Sequence, residues 1–222
     1  VYLDTLFNNL ITIREEVGKI HIFDLYGLIY NLDTKRLTDT KRIILTEEPW
    51  YDLLSSENNS LKRIQGCIIL GARLPDYFRK VDYFSLFEQY HFSIVREIRT
   101  FSPYKTIGFI EVMAPVSVLK SIVEKNKTDS SVILFDQFMN VVYEPTGKYL
   151  GKHISEAFPE LSDIVKSGEN HTRLNFNGTD SLIAVKNSDV SSWSIVTILP
   201  VSIVQQSAIR LRNYVILISV IF

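Results

Sequence analysis

The sequence predicts an α+β protein in which a long N-terminal helix precedes two tandem modules, each an antiparallel sheet of about five strands with flanking helices. Two echoes between the halves of the chain carry this prediction. "IHIFDLYGLIY" (20–30) and "VILFDQFMNVVY" (132–143) share an apolar strand ending in Phe-Asp, a turn, and a strand ending in Tyr. "TIGFIEVMAPVSVLKSIV" (106–123) and "WSIVTILPVSIVQQSAI" (193–209) share a strand followed by a proline-initiated helix. Because the echoes come in the same order, we interpret the chain as a duplicated module.

Residues 1–19 are predicted to form the N-terminal helix. Apolar side chains recur there at helical spacing, and polar ones lie between them. The apolar positions are Leu3, Leu6, Leu10, Ile13 and Val17. The pattern is already under way at Val1. We expect this helix to form a stalk, and its apolar stripe to supply a dimer contact.

The first module is assigned to residues 20–125 and the second to residues 126–206. In the first, Pro49 should begin a short helix, "IQGCIILGARL" reads as a buried strand, and 90–101 alternates as a longer strand. The aromatic insertion 75–90 would fold over the open face of this module.

Local signals define the second module. Pro159 should begin a helix that Gly168 ends, and Asn177-Gly178 should form a type I′ hairpin turn. In both modules the aspartate at the end of the first strand (Asp24, Asp136) is expected to accept hydrogen bonds from turn amides.

The tail, residues 207–222, ends in nine uncharged residues, "YVILISVIF". A membrane span needs about 20 apolar residues, so this stretch is either a closing core helix or the first part of a transmembrane helix. Its position after a complete second module favours the transmembrane interpretation.

The composition excludes several function classes. The 24 Lys and Arg balance the 25 Asp and Glu, so no broad positive field recruits nucleic acid. One cysteine excludes a disulfide framework, and the four histidines have no metal-ligand spacing. There is no nucleophile elbow, phosphate loop or dinucleotide fingerprint. The sequence therefore predicts neither a cofactor, nor a metal site, nor an enzyme.

The ordered set of motifs "IHIFDLYGLIY", "EPWYDLL", "FSIVREI", "IGFIEV", "VILFDQFMNVVY" and "WSIVTILP" resembles the double Cache sensor domain, which has a PAS-like fold. It is similar in particular to the extracytoplasmic part of bacterial sensor histidine kinases paired with AraC-type response regulators. The resemblance implies that the first module is membrane-distal and holds a small ligand. The second would be membrane-proximal and relay the signal.

In amino-acid-binding members of that family, an Arg two residues before a Trp-Tyr pair holds the ligand carboxylate, and an Asp in the last distal strand holds its amine. Here the pair is Trp50-Tyr51, but the Arg position is Glu48 and the Asp position is Glu111. Without the guanidinium clamp, a free α-amino acid is not the expected ligand.

Most of the candidate binding residues have an alternative role. Trp50 and Tyr51 would stack on a ring-bearing ligand or pack on the sheet, and Glu111 would face a cavity beside Phe109 and Met113. Two further sets of candidates fall outside that motif.

Arg96 would anchor an anionic ligand group or form an ion pair with Glu111 or Asp24. Tyr77 and Tyr90 belong to the aromatic insertion, where they would act in a lid or pack within the loop.

The function implied by the resemblance is ligand sensing by a membrane-bound two-component histidine kinase, with this domain extracytoplasmic and the protein a homodimer. The partner would be a small molecule or a solute-binding protein. The alternatives are the sensor domain of a chemoreceptor or cyclase, and a membrane-anchored binding or adhesion module without signalling output.

Overall fold

The computed structural model describes residues 18–27, 29–33, 36–37, 42–55, 66–74, 85–126, 129–168, 170–206 and 209. Residues 1–17 of the predicted N-terminal helix, and the predicted tail apart from Ile209, lie outside the described residues. So does Tyr77, with most of the aromatic insertion.

Two antiparallel sheets follow one another along the chain, as the duplicated pattern predicts. The first has the strand order β3-β2-β1-β6-β5-β4 and the second β8-β7-β11-β10-β9. The strands of the first sheet are β1 (Lys19–Asp24), β2 (Ile29–Asp33), β3 (Arg36–Leu37), β4 (Cys67–Arg73), β5 (His91–Arg99) and β6 (Thr106–Pro115). Those of the second sheet are β7 (Ser131–Phe135), β8 (Val141–Tyr143), β9 (His171–Phe176), β10 (Thr179–Asn187) and β11 (Ser194–Pro200).

The helices lie between these strands. A 3₁₀ helix spans Leu45–Glu47, and the α-helices are α1 (Tyr51–Ser55), α2 (Leu86–Gln89), α3 (Val116–Lys125), α4 (Ile154–Ala157) and α5 (Pro159–Ser167). Residues 201–206 are also helical. Helix α3 connects the two sheets. Across the described ranges, no helix is long and apolar enough to cross a bilayer.

The turn chemistry follows the sequence signals. The Oδ1 of Asp24 accepts from the Tyr26 amide at 2.8 Å, and that of Asp136 from the Phe138 amide at 2.9 Å. Asn177 and Gly178 both have the positive φ that a type I′ turn requires, at 49° and 78°. These predictions are confirmed.

Of these two proline-initiated helices, α5 follows the prediction and α3 differs from it slightly. Pro159 occupies the first turn of α5, as predicted, and Gly168 ends that helix with φ 68°. Pro115, expected just inside a helix, is instead the extended residue immediately before α3. Its backbone still belongs to β6, so the strand runs directly into the helix.

Each sheet has its own apolar core. In the first, Phe23, Trp50, Val95 and Phe109 are buried together; in the second, the cluster includes Phe135, Leu161 and Ile183.

A third apolar cluster joins the two modules. Ala72 and Phe87 of the first module pack with Val142 and Trp193 of the second. The modules therefore share a packed junction at one end of the first sheet.

Candidate functional site

The core face of the first sheet carries a buried polar region beside its apolar core. Strand alternation places Glu111 on this face together with Phe109 and Met113, and all three are buried. In the pairing with β1, Glu111 lies opposite His21, which is also buried. A fully buried carboxylate is costly unless it is paired, so its partners decide what the site can do.

Arg73, the last residue of β4, pairs with Glu111. Its Nη2 contacts Oε1 of Glu111, and its Nη1 lies 3.2 Å from Oε2 of Glu48. The Nδ1 of His21 is 3.7 Å from the other Glu111 oxygen. We refer to Glu48, Arg73, Glu111 and His21 as the ionic cluster. It brings a guanidinium and two carboxylates together on the face where the ligand is predicted.

Arg73 was not among the predicted site residues, and the reason is a bulge. Leu70 pairs with Ser93 and Arg73 with His91, so three steps along β4 match two along β5. In an uninterrupted strand, Arg73 would lie on the opposite face from Ile68 and Leu70. The extra residue returns Arg73 to the core face. Gly71 within "LGAR" is the one sequence signal for such an irregularity.

Arg96 lies on the other side of the sheet, which corrects the suggestion that it pairs with Glu111. Arg96 stands opposite Ile110, whereas Glu111 stands opposite Val95, one register position away. Side chains at adjacent positions point to opposite faces, so the two groups are separated by the sheet itself. Arg96 is exposed. The alternation predicted for β5 is present, but it places Arg96 on the face away from the buried polar region.

Trp50 is a core residue in this structure. It is fully buried, and its ring centroid lies 5.3 Å from that of Phe23 and 5.0 Å from that of Phe109. Tyr51, half-buried, packs edge-on against Phe109 at 5.7 Å. Trp50 therefore packs on the sheet, as the second of its two predicted alternatives states. Tyr51 lies at the edge of the core, nearer to solvent.

Tyr90 lies at the junction of the modules. A side chain at Gly151 of the second module would come within 3.2 Å of the Tyr90 ring. The backbone of Tyr90 also accepts the amide of Val116, the first residue of α3, at 2.9 Å. This position connects Tyr90 with the second module.

His91, also on the core face, is a neutral imidazole at pH 7. Burial lowers its pKa from 6.5 to about 4, because the charged form loses its hydration. Its Nδ1 lies 2.8 Å from the carbonyl oxygen of Gln89. A carbonyl can only accept, so Nδ1 carries the proton and Nε2 is the acceptor.

We expect acid to destabilise the protein through His91. A base with a depressed folded-state pKa contributes stability fully above pH 6.5, and that stability is lost as the pH falls toward 4. The loss attributable to His91 between pH 7 and pH 4 should be about 3 kcal/mol. Urea titrations across this range would measure it, and His91→Gln should flatten the curve relative to wild type. Parallel curves for the two proteins would contradict the assignment.

Strand β4 also forms the contact with the second module. The amide Nε2 of Gln137 donates to the carbonyl of Ile69 at 2.7 Å. A Cβ added at Gly71 would lie 2.9 Å from Cβ and Cγ of Asp136. Asp136 is buried, and burial raises its pKa. Strand β4 ends at Arg73 of the ionic cluster, and its residues 69–71 contact the turn of the β7–β8 hairpin.

Gly71→Ala should therefore disturb the junction. The new methyl overlaps the Asp136 side chain, and overpacking of this kind costs about 1–3 kcal/mol. The penalty should shrink when Asp136→Ala is already present, because the overlapping atoms are gone. Unfolding free energies of the two single variants and the double variant measure this coupling; strict additivity would show that the two residues do not touch.

The described part of the chain contains no group of three or more His, Cys, Asp or Glu side chains placed to hold a metal ion. The chemistry on the core face is instead that of charge pairing between a guanidinium and carboxylates.

Comparison with known proteins shows what this architecture is similar to. No family model and no curated protein matches the sequence. Among solved structures, the extracellular domain of a candidate histidine kinase, rpHK1S-Z16, matches with a TM-score of 0.65 at 10% identity, covering 89% of this chain and 76% of that one. The ligand-binding domain of Mlp24 with asparagine matches with a TM-score of 0.59 at 13% identity, over 90% and 76%.

A third similar structure is the ligand-binding domain of the Pseudomonas fluorescens chemoreceptor CtaA in complex with L-isoleucine. Its TM-score is 0.58 at 12% identity, over 84% of this chain and 70% of that one. At such low identity these matches establish the fold and not the ligand. The chain has the tandem two-sheet fold of extracellular ligand-binding domains from chemoreceptors and histidine kinases.

Proposed function

We propose that the chain is the extracytoplasmic sensor domain of a membrane-bound receptor, and that it binds a small polar molecule at the ionic cluster of the first module. The observation that carries the proposal is the buried pair of Arg73 and Glu111 on the core face. Buried ion pairs stabilise a fold no better than apolar packing does, so their presence in a core is a reason to look for another use.

The cluster favours a ligand that carries both an ammonium and a carboxylate group. Glu48 occupies the position of the clamp arginine in the resembling family. A guanidinium is nevertheless present at that position, because Arg73 at the end of β4 pairs with Glu48. A zwitterion that inserts its ammonium at Glu111 and its carboxylate at Arg73 would replace one internal ion pair by two. This restores the amino-acid class that the sequence alone disfavours. The similar chains bind asparagine and L-isoleucine.

Thermal-shift and calorimetric titration against amino acids, amines, organic acids and sugars would test this class. We expect zwitterions to bind, and Arg73→Gln and Glu111→Gln each to weaken binding at least tenfold. Arg173→Gln, at an exposed ion pair in the second module, is the matched control and should bind normally. Binding that survives both cluster variants would place the ligand elsewhere; hits confined to sugars would overturn the zwitterion class.

The geometry of β4 supports transmission of the signal. A ligand that separates Arg73 from Glu111 acts on the end of a strand whose residues 69–71 contact the β7–β8 hairpin. The ligand would shift the equilibrium between two arrangements of this junction by its difference in affinity for them. We propose that the second module passes this change toward the membrane through the helix that includes residues 201–206.

The proposed output is a two-component histidine kinase acting as a homodimer, supported by the likeness to the extracellular domain of rpHK1S-Z16. A chemoreceptor output is the second candidate, supported by the likeness to CtaA. Incorporating the natural full-length protein into vesicles and measuring autophosphorylation with and without the identified zwitterion separates the two. A ligand-dependent change in phosphorylation supports the kinase, and its absence from a protein that binds normally contradicts it.

A further inference from the structure

One end of the first sheet exposes a group of large apolar side chains. Asp24 at the end of β1 pairs with Gly108 of β6, and Arg99 at the end of β5 pairs with Thr106, so the loops that follow β1 and β5 are neighbours. The segment before the 3₁₀ helix reaches the same end, because the Ile43 amide donates to the carbonyl of Gly27 at 2.8 Å. We call the five exposed side chains of these three segments and of the start of β6 the apical patch: Tyr26 (80% exposed), Ile44 (61%), Phe101 (93%), Tyr104 (80%) and Ile107 (49%).

The apical patch lies away from the second module. The junction between modules is at the opposite end of β5, where Phe92 packs on Trp193 with ring centroids 5.9 Å apart. Nine residues of extended strand separate the two ends of β5, which corresponds to roughly 27 Å. The junction therefore does not cover this surface.

A groove of about 590 Å³ borders the patch, and Arg96 lies in it. Phe101, Tyr104, Ile98 and Ile110 supply apolar walls. Arg99 also lines the groove, but it is engaged by Glu97. Arg96 has no ion pair with any residue that the structure describes. An unengaged guanidinium beside exposed aromatic rings is the composition of a protein-interaction hot spot, where Arg, Tyr and Trp predominate.

Among the described residues, the charged side chains that line the groove are two arginines, Arg96 and Arg99, and one glutamate, Glu97. A partner that meets this surface must cover apolar area and offer a carboxylate to Arg96. The aromatic residues are spread over more than one loop and are mostly in solvent, which suits a protein surface better than an enclosed small molecule.

We propose that the apical patch and the Arg96 groove dock a partner protein through a segment that combines acidic with apolar side chains. This inference is independent of the proposed ligand at the ionic cluster, which lies on the opposite face of the sheet. It also gives Arg96 a binding role other than the one expected from sequence.

The test uses a random-peptide phage library selected on the chain. We expect enriched peptides to combine Asp or Glu with aromatic or aliphatic residues. A synthetic copy of the most enriched peptide should bind at least tenfold more weakly to Arg96→Glu and to Phe101→Ser, and its affinity should fall with added salt. Lys186→Glu and Val190→Ser are matched exposed controls in the second module and should leave affinity unchanged. Thermal melting of each variant verifies folding.

Several outcomes would overturn the proposal. Enriched peptides without acidic residues, or affinities that ignore Arg96→Glu, exclude acidic docking at the groove. Phenylacetate binding at Arg96 as tightly as the peptides do would make it a small-molecule site. Self-association in light scattering that Phe101→Ser abolishes would identify a second copy of this chain as the occupant. If no metabolite bound at the ionic cluster, the peptide measurements would still test the apical patch, so the two proposals can fail separately.

Discussion

Arg73→Met should destabilise the protein by about 3–5 kcal/mol, because it leaves Glu111 buried and without its guanidinium partner. Adding Glu111→Leu should recover most of this loss, since an apolar side chain of similar size then replaces the carboxylate that has lost its guanidinium. Urea denaturation at pH 7 of both single variants and the double variant measures the coupling between the two residues.

The same variants separate stability from binding. If the ion pair serves the ligand, the double variant should be stable and unable to bind the zwitterion. Lys152→Met, which removes an exposed i,i+4 pair with Glu156, is the matched control, and it should leave stability nearly unchanged. A double variant as unstable as Arg73→Met would show that the pair is needed for the fold and would remove the motive for the ligand assignment.

Trp50→Ala should cost about 3–5 kcal/mol, the range for deleting a large aromatic side chain from a packed core. Trp50→Phe should cost much less, because the indole N–H has no hydrogen-bond partner among the described residues and its loss leaves no acceptor unsatisfied. Unfolding free energies from urea titration would measure both changes.

Tyr26→Ala, at an 80% exposed aromatic in the same module, is the control and should be nearly neutral. A ligand-stacking role for Trp50 would give the reverse of the expected pattern: a small loss of stability from Trp50→Ala and a large loss of ligand affinity from Trp50→Phe.

The features that sequence predicts well are those set by neighbouring residues. The Asp24 and Asp136 turns, the Asn177-Gly178 hairpin and the alternation of β6 around Glu111 each depend on a few adjacent side chains, and each is present in the structure. The duplication of the module follows from the same local patterns occurring twice in the same order.

The features that sequence missed depend on register between strands. Alternation within β5 separates Arg96 from Val95, but only pairing with β6 shows that Glu111 belongs with Val95. The position of Arg73 depends on the bulge in β4, and Gly71 signals an irregularity there without fixing the register. The pairing of β4 with β5 places Arg73 in the site, so the sequence of β4 alone does not predict it.

The bulge in β4 has a consequence for how such a site can change over time. Leu70 and Arg73 are three residues apart and both lie on the core face, so Arg73 keeps this orientation only while β4 retains its irregular pairing. If substitutions at Gly71 or Ala72 let β4 pair evenly, with Ala72 opposite His91, the guanidinium would pass to the opposite face of the sheet. The core face would then keep its carboxylates and lose its cation with no charged residue substituted. The charge on this face can therefore be changed through small neutral residues outside the ionic cluster.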